Sequence, residues 1–330
     1  MKTYTDLRNT TAQYCNVNTS DTAAMSIIDS NINDSIRTMC NLQGGKLRFL
    51  EATKDMTTVA DQEGYEIPNG FRKLIDIYVY SGSTGSPTDT LYSPEMVFDP
   101  VKWKLVKQYR LGSSSTPYFT YVENQKFYIQ PIPSVTGNKI TLRGRLQTRD
   151  LTIADYTTGT ITSIANGGTA VVGNSTVWTA DMVGRYIQIT ETTAAGGGDG
   201  FWYQIGSYTS ATSIGLLKPY EGTTIAAGTA AYTIGQCSVI PEAYDIGIVY
   251  RATALYWANQ GDLNRAKVYW LQYDGGNEAG YSDVYAGLVG QMLANEGETE
   301  EGTYIPPFGQ TTNTPTAPYY FPYQDASGFS

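Results

Sequence analysis

Two apolar patterns at opposite ends of the chain constrain its fold more than any other feature. Met25, Ile28, Ile32, Ile36 and Met39 recur every third or fourth residue, which draws one continuous stripe down a helix. Near the other end, PEAYDIGIVYRATALYWANQ carries Ile246, Val249, Tyr250, Leu255 and Trp257 on nearly all sides, as a helix inside a core must. Neither face is narrow enough for a lone hairpin to bury. The two ends are therefore expected to pack together, with the rest of the chain looped out between them.

The punctuation around these stripes fits helices. Tyr4, Leu7, Thr11 and Tyr14 step by three and four, NVNTSD offers N-caps for the next helix, and Gly44-Gly45 stops it. Pro241 suits a first helical turn, Gly261 ends that helix, and Asp262 caps LNRAKVYWLQY, which runs to Gly275-Gly276. Asn277 is placed to cap a third helix carrying Tyr281, Val284, Tyr285, Leu288 and Met292. With no second copy of this unit, a plain αα-hairpin is expected rather than a solenoid.

Between the ends the rhythm is that of strands. From Lys46 to about Asp155, GYEIP, FRKLIDIYVY, KFYIQPIP and KITLRGRLQ are rich in β-branched and aromatic residues. Ile140, Leu142 and Leu146 should face one way and Thr141, Arg143 and Arg145 the other, giving a wet face. From Tyr156 to Gly235 the chain turns to Thr, Gly, Ala and Ser, alternating in TITSI, TAVVG, RYIQI, FWYQI and AAYTI. Short strands at this spacing predict a small sandwich or barrel. The chain is thus read as α+β: a helical bundle from residues 1–42 and 237–293, a central β-domain over 43–155, a small inserted β-sandwich or barrel over 156–236, and an extended tail over 294–330.

That tail poses its own question. From Leu293 onward it holds seven Tyr and Phe, five prolines and five acidic residues but no Lys or Arg, so it can neither form a helix nor bury itself. Tyr304, Phe308, Tyr319, Tyr320, Phe321, Tyr323 and Phe329 read as anchors for pockets on a partner. Prolines that keep the segment extended lower the cost of docking. Across the chain, 27 Tyr against nine Phe favour surfaces that are half apolar and half wet, which means interfaces.

Catalytic patterns are scarce. The chain has no histidine, which removes Ser-His-Asp and Cys-His sites and every histidine-bearing metal site. Cys15, Cys40 and Cys237 are too scattered for a four-sulfur centre or a disulfide framework, which fits a reducing cytoplasm. GGGDG lacks the ending of a phosphate loop. Asp181, Asp199 and Glu221, near Trp178, Trp202 and Tyr220, suit a glycan site, though aromatics filling a small core explain them as well. The expectation is a protein with no enzymatic activity, cofactor or metal. MKTYTDLRN has no apolar core, so no signal peptide is expected. IGIVYRATALYWA is interrupted by Arg251 and too short to span a membrane.

Charge limits the partners. A net charge of −9 disfavours tight nucleic-acid binding, which needs clustered cations. Lys102, Lys104, Lys107 and Arg110, with Arg143, Arg145 and Arg149, read as a solvated face, as intersubunit pairs, or as weak guides for passing DNA.

The order of segments then becomes informative. TYTDLRNTTAQYC and INDSIRTM are followed by GYEIP, FRKLIDIYV and a strand before PIP, and finally by IPEAYDIGIVYRATALYWANQGDLNRAKVYWLQYDGG. Over residues 3–155 and 237–292 this resembles the head-to-tail adaptor (connector, or tail-tube A) proteins of tailed bacteriophages. The resemblance implies a structural virion protein of the neck, assembled in the host bacterial cytoplasm. It implies a homo-oligomeric ring, a dodecamer, between portal and tail that completes the head and lets genomic DNA pass. The partners implied are the portal protein, which the aromatic tail would grip, a downstream tail or nozzle protein, and no membrane. The segment from GTITSI to KPYEG is similar to a small β-module that recurs in phage structural proteins, an insertion that the usual adaptor lacks. Two other readings stand beside this one: a glycan- or receptor-binding tail module, and a minor tail or nozzle ring below the adaptor.

Overall fold

The start of the first helix is fixed by its own side chains. Thr3 Oγ1 accepts from the Asp6 N–H while the Asp6 carboxylate accepts from the Thr3 N–H, a reciprocal cap on α1 (Tyr4–Tyr14). Asp21, from the NVNTSD stretch, accepts from the N–H groups of Ala23 and Ala24 and opens α2 (Thr22–Asn41). That helix ends where Gln43, Gly44 and Gly45 all take positive φ. The computed structural model describes residues 1–86, 88–108, 113–114, 117–191, 197–276 and 285–297. Within them the protein is mixed α+β, with six α-helices and several sheets.

Helices from both ends of the chain contribute to one buried apolar cluster. Leu7, Met25, Ile28, Ile32 and Met39 share it with Ile248, Val249 and Ala252 of α4 (Asp245–Asn259). Asp262 caps α5 (Leu263–Asp274) by accepting from the Arg265 N–H at 3.0 Å. The α4 helix is less uniform than its sequence suggests: Ile246, Tyr250 and Trp257 are only partly covered, while Gly247 and Ala252 are buried. The reason is close approach. A Cβ at Gly247 would lie 2.6 Å from the Leu288 side chain and 3.2 Å from that of Met39, so the small residues mark where neighbours come nearest.

Two readings of local structure are corrected. The third C-terminal helix, α6 (Leu288–Glu296), starts after a short strand pair in which Tyr285–Ala286 lies antiparallel to Gly275–Gly276. Gly287 turns the chain there, because its α-carbon sits against backbone: a Cβ would fall 2.2 Å from the Gly275 nitrogen. Tyr285 is therefore strand, not helix, and Asn277, Tyr281 and Val284 lie outside the described residues. The helix also runs to Glu296, into the segment read as tail. The second correction is α3 (Pro100–Gln108), a helix inside the stretch read wholly as strands. It buries only Trp103 and Val106, against Val97 and Tyr121, and so short a helix shows too few periods to declare itself in sequence.

The central β-region has two four-stranded sheets. One runs Glu51–Thr57, Lys139–Leu146, Phe71–Tyr80 and Leu91–Tyr92, all antiparallel. The other runs Gly64–Glu66, Lys126–Gln130, Phe119–Glu123 and Glu95–Val97, the last pairing parallel. Tyr65, Phe127 and Ile129 of the second sheet share a core with Leu74, Ile77, Ile140 and Leu142 of the first. Ile140 and Leu142 are buried while Thr141 and Arg143 are partly exposed. Register shifts between Arg143 and Gly144 and between Arg145 and Leu146 then interrupt the alternation, so that Arg145 is partly buried rather than on the wet face.

Residues from Tyr156 to Gly235 build a six-stranded sheet of their own. The order is Thr160–Ser163, Ala170–Asn174, Ser213–Leu216, Trp202–Ser210, Tyr186–Ile189 and Tyr232–Gly235. Bridges between Ile161 and Ala230, and between Tyr156 and Ile234, tie its first edge to its last. Trp178, Tyr220, Ile161 and Ile234 fill its centre. The two chain crossings at its base are held by amide side chains. Asn33 of α2 accepts from the Leu151 N–H (2.8 Å) and donates to the Leu151 carbonyl (3.0 Å), imitating a strand neighbour. Gln236 accepts from the N–H groups of Thr152 and Ile153 and donates to the Asp150 carbonyl.

Candidate functional site

The surface features gather around α3 and the cleft behind it. Helical spacing turns Trp103 and Val106 inward, and the opposite face presents Phe98 just before the helix with Val101 and Leu105 on it, 79 %, 65 % and 49 % exposed. These three side chains leave an apolar stripe in solvent. Lysines flank the stripe: Lys102 Nζ lies 2.7 Å from Glu95, and Lys107 Nζ lies 2.7 Å from Glu63 and also over the rings of Trp103 and Tyr128.

A cleft of about 670 Å³ opens between the C-terminal end of α2 and the first sheet. Arg37, Arg72 and Arg149 line it. Arg37 holds Asp150 through two hydrogen bonds, at 2.6 and 2.9 Å, a bidentate pair that keeps the Asp150 carboxyl below its ordinary range. Arg72 donates to the Asn41 side chain. On the module, a separate cleft of about 340 Å³ is lined by Tyr186, Trp202 and Phe201, with Lys218 and Glu221 at hand. Phe201 is 68 % exposed there.

The reactive groups elsewhere are put to structural use. Burial pushes the thiols of Cys15, Cys40 and Cys237 up to about 12, so they are neutral, and all three are free. Asp245, 2 % exposed, accepts from the Lys2 N–H, and burial raises it to about 6. Asp155, also raised by burial, accepts from the Thr3 hydroxyl at 2.8 Å. Both carboxylates serve the base of the module, where α1 meets the two crossings. Trp178 and Tyr220 of the glycan reading are 1 % and 0 % exposed, core residues that cannot touch a sugar. Asp199 is engaged by the Tyr203 hydroxyl at 2.5 Å. Among the described residues no group of acidic or cysteine side chains is placed to hold a metal ion.

The family model of the SU10 adaptor protein matches residues 2–170, just over half of the sequence. The chain belongs to that adaptor family. The match takes in α1, α2, both central sheets and α3, and it ends on the second strand of the module. It bears out the resemblance to head-to-tail adaptors of tailed phages, and INDSIRTM, GYEIP and FRKLIDIYV all fall inside it. The C-terminal helical pair that carries the rest of the resemblance lies beyond the matched residues. No curated protein matches the chain.

In this adaptor five of the cations singled out in sequence fall on two elements. Lys102, Lys104 and Lys107 ride on α3, whereas Arg143 and Arg145 belong to the Lys139–Leu146 strand, over a different core. Lys102 and Lys107 have partners in the same chain, and so does Arg143, which bonds Glu51 at 2.6 Å and faces Asp76 at 3.5 Å. Arg110 and the seven aromatic anchors of the tail lie outside the described residues. Sequence reading missed Arg37 and Arg72 in the cleft: they sit far apart in the chain, and only the packing of α2 on the sheet brings them together. No helix among the described residues is long and apolar enough to cross a membrane.

Proposed function

We propose that this adaptor is a non-catalytic structural part of a tailed-phage particle, forming a ring between portal and tail through which the genome passes. The observation that carries this reading is the adaptor-family match over residues 2–170. The ion pairs of Lys102, Lys107 and Arg143 support it, since a neck must let DNA slide and cations already neutralised attract phosphate weakly. In this reading residues 1–42 and 237–293 act as one helical platform, 43–155 line or join the ring, and 156–236 stand at its periphery. The tail beyond α6 docks on the portal through Tyr319, Tyr320, Phe321, Tyr323 and Phe329. A downstream tail or nozzle protein closes the other side. Negative-stain microscopy of the purified chain mixed with portal-bearing heads tests it. Rings at the portal vertex are expected, and they should be lost on truncation after Gly302. Heads that stay bare with the full chain would sink the reading.

One observation favours a second role for the module. Phe201 and Trp202 sit on an open cleft beside Lys218 and Glu221, a mixture that suits a glycan or receptor surface. Binding to host surface glycans that disappears in Phe201→Ala while the particle still assembles would establish it.

A further inference from the structure

The arginine cleft does not end at Arg72. A second cleft of about 310 Å³ shares Phe71, Arg72 and Gln125 with it as lining, so the two adjoin at those side chains and are treated together as one trough. The halves differ in chemistry. The first is cationic, with Arg37, Arg72 and Arg149; the second is lined by Ile67, Leu74, Met96, Phe98 and Val122, with Lys73 at its rim. Among the described residues that line the trough, Asp150 is the one acid, and Arg37 already holds it. Among the described residues neither Arg72 nor Arg149 forms an ion pair, which leaves guanidinium donors for an anion from elsewhere. Phe98 carries the apolar half onward to the exposed Val101 and Leu105 of α3.

Such a trough fits an extended peptide in which carboxylates come first and aromatics follow. Residues 298–308, ETEEGTYIPPF, have that order: Glu298, Glu300 and Glu301, then Tyr304, Ile305 and Phe308, with Pro306 and Pro307 favouring an extended backbone. We propose that the trough seats residues 298–308 of a second copy of this chain. Charge and the order of side chains along the segment both match the trough. The guanidinium groups offer bidentate donors to carboxylates, and the apolar half gives aromatic side chains a place to leave water. Residues 298–308 span at most about 36 Å at about 3.3 Å per residue, so the trough that takes them must lie beside Gly297 of the copy that donates them. Duplex DNA fits less well, because the apolar half has nothing to offer a sugar–phosphate backbone. The contact rests on the reading that copies of the adaptor assemble, and it names how one copy holds the next.

The test uses the full chain and a fluorescein-labelled peptide of residues 296–310, followed by anisotropy. Saturable binding is expected, weakened at least about tenfold by Arg72→Glu with Arg149→Glu, as like charges face each other across the site. A peptide with its glutamates replaced by lysine should bind the reversed trough and not the native one. Phe98→Ser, at an exposed position, should weaken the native peptide without changing the thermal melt. Peptide binding that ignores these changes, or a trough that takes duplex DNA and no peptide, overturns the assignment whatever ring the chain forms. Sedimentation velocity then addresses the second copy. Chains with Arg72→Glu and Arg149→Glu, and chains with Glu298→Arg, Glu300→Arg and Glu301→Arg, should each fail to associate alone and should associate when mixed. A mixture that sediments as monomers overturns the second copy as occupant.

Discussion

Ile32 of α2 is buried in the same cluster as Ile248 of α4, although about two thirds of the chain separates them. Trp178 of the module is buried in a cluster drawn entirely from residues 156 to 234. The helical layer is thus closed only when both ends of the sequence meet, and the entropy of that closure falls on the entire chain. The module closes on itself, and its edge strands are tied together by local bridges. What joins the two is polar: Asn33, Gln236, Asp155 and Thr3 hold the crossings by hydrogen bonds where strand neighbours would otherwise serve. An insert with a buried core of its own is expected to be removable with little cost to the scaffold.

The sharpest way to break this comparison is to damage the long-range core alone. Ile32→Ala should cost about 2–5 kcal/mol through a cavity in a site with no exposure. Hydrogen exchange should then show amides of α2 and α4 opening while those of the module stay protected. Equal loss of protection in the module would end the claim that it stands alone. Next in size is Asn33→Ala, which strips both partners from Leu151 and should cost about 1–3 kcal/mol, read in thermal melts. Faster exchange confined to the base of the module is expected, and an unchanged profile there would mean that the clamp is idle.

A smaller effect comes from the buried acid beside the base. Asp245 titrates near 6 in the folded chain against 3.8 as its ordinary value, so the folded state holds the proton more tightly. Its destabilising contribution is absent below 3.8, grows as pH rises toward about 6, and is complete above it, at about 3 kcal/mol. Asp245→Asn should therefore raise stability by about 1–2 kcal/mol at neutral pH, after some weakening of the bond from Lys2, and give no gain in acid. A gain of equal size across the pH range would show that charge is not the cause. The smallest effect should follow removal of the module. Tyr156 and Ile234 are already bridged, so a short Gly-Ser link between them should leave the helical melt within about 0.5 kcal/mol of its original stability. Loss of soluble helical protein would make the module part of the core.

Much of this was legible because the signals are local. The caps at Asp21 and Asp262, the glycine stops at 44, 45 and 261, and the inward set Ile140 and Leu142 follow from single residues and short periods. The α3 helix was illegible because its two buried residues make less than one period of evidence, and the turn at Gly287 because its cause is backbone brought close from residues 273–275. Site residues fared worse than elements. Lys102, Lys107 and Arg143 stood out as cations, yet their carboxylate partners come from other strands and loops.

By itself, then, the sequence determined most of the helices and strands, which of their faces are apolar, and the adaptor resemblance that the family match bears out. Periodicity, caps and turn residues act within a few positions of one another, so they can be read along a line. Tertiary structure alone decided that Gly247 admits Leu288, that Asn33 stands in for a strand, and that Arg37, Arg72 and Arg149 line one trough with Phe98 at its far end. Each depends on which surfaces come within a few ångströms after the ends of the chain have met, and no local pattern encodes that distance.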